Sequence, residues 1–404
     1  MDPALRRIFN AHYSDALYRR MSTMMAEQLE EPDFGFRLAE TPLFLPADLR
    51  ARCQTAAHEI LALLRRPEII QAGRQAVPQA YRGKPAEGLP QFVAIDFAIV
   101  KDESGKLAPR LIELQGFASL YAMQLVQGEI WGKCLATLPG MPQGWTPRFP
   151  GLDRASYLKL LRDTVVGQAP TDEVILLDLH PEEQKTRPDF HATKRLLNVR
   201  SVDATTIKKD GRRLLAPRGH RMVPVSRIYN RIVFDELERK GTKLPFDWRD
   251  DLDVTWVCHP DWYWIWSKHT LPKIQHPCAP KTMYLSDLKT IPDDCSGFIL
   301  KPLFSFAGTG VNPDVTKAAI EAIPKAERSN WILQERVHYA PALIAPDGTG
   351  VKAEVRLMFL KPEAAKDYTL AINLTRLSRG KIHGVDHNKG LDWVGSSVAV
   401  WPAS

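Results

Sequence analysis

Two stretches of this chain carry charged side chains in patterns suited to phosphate chemistry. The first, residues 298–311, reads FILKPLFSFAGTGV. An apolar strand ends on Lys301 and runs into a loop holding Ser305, Gly308, Thr309 and Gly310. Glycine allows positive φ and a close approach of backbone to a ligand. Loop N–H groups can hold phosphate oxygens, and Lys301 adds a point charge beside them. The Walker A order G-x-x-x-x-G-K-[ST] is absent. Upstream, Ser267-Lys268 opens an expected helix over 268–274 and supplies a second lysine. Downstream, WILQERV (331–337) reads as an apolar strand ending in Gln334-Glu335, which offers backbone groups and a carboxylate to an adenine edge.

The second stretch is Gln91–Phe117. Gln91–Val100 and Arg110–Phe117 are β-rich, and Asp102, Ser104 and Gly105 between them suit a turn, so the segment predicts an antiparallel hairpin. Asp96 lies on its first strand. Glu113 and Gln115, two apart, share one face of the second. Three oxygen donors of this kind suit Mg²⁺, which takes carboxylates and nucleotide phosphates and keeps several waters.

The elements around these stretches follow from periodicity. Residues 1–80 read mainly as helix, with Ile60, Leu61, Leu63 and Leu64 on a core face and Asp48 as a cap. Residues 118–135 return to a helical pattern. Residues 151–225 read as a small α/β unit: a strand over 174–179, a helix over 188–198, and a hairpin over 206–217 around Asp210-Gly211. Beyond residue 253, strands are expected at 253–257, 297–301 and 331–337, followed by the pair 351–360 and 368–377. Trp262, Tyr263, Trp264 and Trp266 suit a core or interdomain contact.

Composition narrows the class. Hydrophobic residues make up 44% and charged residues 25% of 404 residues, which is ordinary globular usage and excludes a collagen, a coiled coil or a disordered tail. No apolar run approaches the ~20 residues that span a bilayer, and residues 1–10 lack the apolar core of a secretory leader. Five cysteines without a C-x-x-C spacing argue against a disulfide framework, and a cytoplasmic setting is expected. The net charge is +7. Lys208, Lys209, Arg212, Arg213, Arg218 and Arg221, against Asp210, supply most of that excess in one expected hairpin, which makes a nucleic-acid partner unlikely.

Taken in order, these segments resemble the circularly permuted ATP-grasp group, of which glutathionylspermidine synthetase is the familiar member. AIDFAIVKDESGKLAPRLIELQGF resembles its Asp hairpin ending in Glu-x-Asn. CHPDWYWIWSKHTLPKI resembles the segment with the first lysine, and ILKPLFSFAGTGV its phosphate loop. ILQERV resembles its adenine strand, and INLTRLSRGKIHG its C-terminal arginine strand. The resemblance implies an α/β (α+β) ATP-grasp fold in four parts. These are a helical N-terminal layer (1–90), a metal-binding hairpin part (91–150), an accessory α/β domain (151–255) and an ATP-binding part (256–404). The hairpin part and the last part would combine into one ATP site.

The resemblance also implies site roles. Lys268 and Lys301 would contact the phosphates of ATP, and Gln334, Glu335 and Val337 would line the adenine pocket. Asp96, Glu113 and Gln115 would bind Mg²⁺. Arg356 or Arg376 would stabilise the transferring phosphoryl group or orient a carboxylate. Arg231, in the strand RIYNRIVF, would hold a substrate carboxylate bidentately. The implied activity is ATP-dependent ligation of a carboxylate to an amine through an acyl phosphate. A catalytically degenerate ATP-binding scaffold, an ATP-grasp phosphotransferase and a nucleic-acid-binding protein are the alternatives.

Some positions depart from the family pattern. The metal-site Asn is Gln115 here, Ala94 stands where a basic residue is expected, and Phe306 and Ala307 replace an Arg-Glu pair. These losses weaken the implication of the family's glutathione and polyamine substrates and do not remove the expected ATP site. His383, Asp386, His387 and Lys389 are expected in a solvated C-terminal loop. No H-E-x-x-H or G-x-S-x-G motif occurs.

Overall fold

The computed structural model describes residues 2–305, 309–380, 388 and 390–403, excepting the side chains of 234 and 235. Four helices, Pro3–His12, Asp15–Leu29, Ala47–Leu64 and Pro67–Ala76, make up most of the first eighty residues. The third presents Leu49, Cys53, Ile60, Leu61 and Leu64 to the core. Asp48 is not its cap. Pro46 precedes the helix without a side-chain bond, and Asp48 sits in the first turn, where a negative charge meets the helix dipole.

The central sheet is antiparallel and draws on both halves of the chain. Its order is Gly395–Ser397, Thr369–Ser378, Gly350–Leu360, Phe92–Lys101 and Leu107–Gln115, with Pro341–Ile344 also pairing along Gly350–Leu360. The expected hairpin therefore lies beside the late strands, with Asp96 opposite Arg356 on one side and Glu113 on the other. Alternation sorts the faces. Val93, Ile95, Phe97, Val355, Leu357 and Phe359 are fully buried. The helix Tyr121–Leu135, apolar around most of its circumference, belongs to this core, and its Tyr121 hydroxyl reaches the carbonyls of Val93 and Phe359. Asp96, Glu354 and Arg356 alternate with those apolar residues.

A second sheet is wholly parallel, in the order Thr255–Val257, Arg227–Asn230, Val174–Asp178, Arg200–Asp203. Helix Arg187–Leu197 connects two of its strands, and the hairpin strands Lys208–Asp210, Arg213–Arg218 and Arg221–Val225 extend from it. Four of the hairpin's six basic residues are paired: Lys209 with Asp250, Arg212 with Asp251 and Asp253, Arg213 with Asp210, and Arg218 with Asp172. The positive excess of this segment is thus largely neutralised by acids outside it.

A small antiparallel sheet places Trp331–Glu335 between Thr282–Tyr284 and Phe298–Pro302. It has its own apolar cluster of Leu285, Cys295, Leu300, Val315, Ile320 and Leu333. Trp262, Tyr263, Trp264 and Trp266 are all buried, as their core reading requires. Among the described residues no helix is long and apolar enough to cross a membrane.

Candidate functional site

The polar face of the central sheet meets the small sheet along a line of charged side chains. Lys301 is the penultimate residue of the strand Phe298–Pro302 and is 7% exposed. Its Nζ donates to Gln334 Oε1 at 2.6 Å and reaches the Ile112 carbonyl at 3.4 Å. That carbonyl is available because the hairpin bulges there. Asp96 faces Glu113 and Phe97 faces Leu111, so Ile112 is the extra residue. Burial pushes the Lys301 ammonium down to about 8, against the pull of Glu113, with Lys268 adding to the lowering.

Lys268 follows Ser267, whose hydroxyl accepts from the His269 N–H and opens the short 3₁₀ helix Lys268–Lys273. Lys268 Nζ donates to the Ser305 carbonyl and lies 3.4 Å from Glu113 Oε1. Glu113 keeps a third of its side chain exposed, at 33%. Lys268, Lys301, Ser305 and Glu113 therefore converge. Among Glu113, Gln115, Trp266, Lys268 and Ser305 a cavity of about 20 Å³ remains, room for roughly one water. The Gln115 Nε2 is buried there without a hydrogen-bond partner among the described residues.

Asp96 sits differently from expectation. It is 1% exposed, and its oxygens accept from Arg356 Nε at 2.6 Å and Nη2 at 2.7 Å, and from Arg376 Nη2. Burial raises its carboxyl, but Arg356 and Arg376 together outweigh that and hold it below the usual range. Both oxygens accept from arginine, which fills three of the carboxylate's roughly four acceptor positions and leaves one on Oδ1. Arg376 continues the network to Glu354 Oε2 at 3.0 Å, and Glu354 in turn accepts from the Tyr339 hydroxyl. Among the described residues no group of three or more His, Cys, Asp or Glu could hold a metal on its own. Glu113 with Gln115 still fits the way Mg²⁺ binds beside nucleotides, through one or two protein oxygens plus phosphates.

The adenine-strand residues are partly occupied. The buried Gln334 side chain accepts from Lys301 and donates to Thr282 Oγ1 at 3.3 Å, so it buttresses a lysine rather than facing a base. Glu335 accepts from Arg110 Nη2 at 3.0 Å. Val337, just past the strand, is half-buried. Thr309 and Gly310 are exposed, and Gly310 has φ +74°, the left-handed region glycine suits. Gly308, Phe306 and Ala307 lie outside the described residues, as do His383, Asp386, His387 and Lys389.

Arg231 is placed away from this cluster. It is 3% exposed and donates to the fully buried Asp189 at 2.7 Å. Asp189 also accepts from the Leu120 and Met123 N–H groups that begin helix Tyr121–Leu135. The expected carboxylate-binding arginine is therefore part of a buried brace between helices. Sequence reading missed Tyr339, Arg110 and Asp189 as partners, because each meets its arginine or carboxylate only through the fold.

No protein-family model matches the chain, and no curated protein matches it. Among solved structures it is similar to a glutathione synthetase-like effector from Globodera pallida, in its apo form. The likeness covers 93% of this chain and 96% of that one, with a TM-score of 0.55 at 11% sequence identity. At that identity the likeness speaks to fold alone: a mixed α/β chain that shares the fold of that effector.

Proposed function

We propose that the chain is a permuted ATP-grasp enzyme that joins a carboxylate to an amine at the expense of ATP. The observation that carries this reading is the meeting of Lys268, Lys301 and Glu113 between two sheets, beside the Asp96–Arg356–Arg376 network. A carboxylate oxygen attacks the γ-phosphorus and ADP leaves. The amine nitrogen then attacks the acyl carbon, phosphate leaves, and the amine loses a proton to solvent. Such chemistry asks the protein mainly for position and charge.

Lys268 and Lys301 neutralise the phosphates, and the adenine lies along 334–337 and Arg110. Glu113 and Gln115 would hold Mg²⁺, which supplies charge neutralisation between phosphates when bound. Asp96 acts as the anchor that aims Arg356 and Arg376. Arg376, with 39% of its side chain exposed, would meet the transferring phosphoryl oxygens. Apo glutathione synthetase-like architecture supports the fold side of this reading. The test is hydroxylamine trapping: with ATP, Mg²⁺ and a panel of carboxylates, one carboxylate should give hydroxamate and equimolar ADP.

A second reading has its own observation. Asp96 is held by two arginines and Glu354 by Arg376 and Tyr339, so Glu113 is the least committed carboxylate of the cluster for a cation. A chain that binds ATP without ligating would give nucleotide binding but neither ADP nor hydroxamate across the panel.

A further inference from the structure

A Cys–His–Glu relay stands outside the cleft. Cys278 is the one partly exposed cysteine; Cys53, Cys134, Cys258 and Cys295 are buried. Its Sγ lies 3.0 Å from His276 Nδ1, and His276 Nε2 lies 2.8 Å from Glu59 Oε2. The tautomer follows from a third contact. His276 Nδ1 accepts the Cys278 backbone N–H at 3.2 Å, so it carries the lone pair, and Nε2 carries the proton toward Glu59. A neutral imidazole base thus faces a thiol, oriented by a carboxylate, which is the general form of an activated nucleophile.

The three groups come from two separate elements. Glu59 comes from helix Ala47–Leu64. The turn bearing His276 and Cys278 is pinned to the hairpin, where the Cys278 carbonyl accepts the Leu111 N–H at 2.8 Å and the Pro277 carbonyl accepts Arg110 Nη1 at 3.0 Å. Burial pushes the Cys278 thiol up to about 11. A standing thiolate is therefore scarce, and reaction requires the proton to leave as the sulfur attacks.

We propose that Cys278 is a base-assisted thiol that exchanges with small disulfides, with His276 as its base and Glu59 as the positioning residue. Cys278 Sγ attacks one sulfur of R–S–S–R, and His276 Nδ1 takes the thiol proton. The S–S bond breaks, a Cys278–S–S–R bond forms, and the departing RS⁻ receives the proton as RSH. Thiols and disulfides balance with no further oxidant.

The test is reaction of the full chain with 2,2′-dipyridyl disulfide, following pyridinethione release. One equivalent should leave rapidly, and Cys278→Ser should abolish that phase. His276→Ala should slow it on the order of 100-fold, and added imidazole should restore the rate. Glu59→Leu should slow it, and Glu59→Gln, which still accepts from Nε2, should recover most of the loss. Should His276→Ala unfold, shown by more than one thiol reacting fast, the exposed Glu59 pair still decides the matter. A fast phase that survives Cys278→Ser would overturn the proposal. So would unchanged rates in folded His276→Ala, or equal rates in the two Glu59 variants.

Discussion

Replacing Lys301 with methionine tests how the cleft handles charge. The Lys301 ammonium is pushed from 10.5 to about 8, first by burial, with Glu113 opposing. Near pH 8 about half the ligand-free molecules then carry a neutral lysine. Phosphates beside Nζ would restore the charge. Nucleotide binding should therefore take up about half a proton at pH 8 and about 0.9 at pH 9. Affinity should fall about tenfold per pH unit above 8. The same group acts on stability. Between pH 8 and 10.5 the unfolded chain binds more protons than the folded one, so stability rises with pH across that window. A shift of this size corresponds to about 3 kcal/mol. Below pH 8 the contribution is constant. Lys301→Met should remove both the proton uptake and the rise in stability, and should weaken ATP binding. Titration calorimetry in buffers of different ionisation enthalpy reads the uptake; urea unfolding at several pH values reads the stability. Buffer-independent enthalpies in the wild type at pH 8–9, or the same uptake in Lys301→Met, would refute the reasoning.

Other perturbations separate the site from its supports. Asp96→Asn leaves Arg356 without its anion and Arg376 with Glu354 alone, and should cost about 3–5 kcal/mol by chemical denaturation; a loss under about 1 kcal/mol would mean the network is not rigid. Arg231→Met strands the buried Asp189 and should destabilise by about 3 kcal/mol with ATP affinity unchanged; a folded variant with weakened ATP binding would return Arg231 to the site. Glu113→Gln should preserve the unfolding midpoint and reduce Mg²⁺-dependent ADP release to background, and normal release would remove Glu113 from metal binding.

Much of the frame is legible locally. Alternation in 351–357 marks a strand with one apolar face and places Glu354 and Arg356 on the other, whereas 92–100 is apolar on both faces and Asp96 stands out as its one charged residue. The turn at Asp102–Gly105 and the lysine before a glycine loop are equally local signals. What escapes is pairing over long separations. Arg356 and Asp96 stand 260 residues apart and Arg376 and Asp96 280, so no spacing rule could show that two arginines hold the expected metal ligand. Arg231 reads as a ligand-binding arginine because Asp189, its partner, looks like an ordinary early-helix acid. Gln334 reads as adenine-facing because strand position does not say that its side chain turns to Lys301. The His276–Glu59 contact, across 217 residues, is hidden for the same reason.

The central claim is that Lys268, Lys301 and Glu113 form one Mg–ATP site. A crystal structure with a non-hydrolysable ATP analogue and Mg²⁺ tests it most directly. The account predicts the phosphates between the two lysines, with Glu113 reaching the cation and Asp96 still held by Arg356. A nucleotide bound elsewhere, or bound in the cleft with Glu113 turned away from the cation, would contradict it.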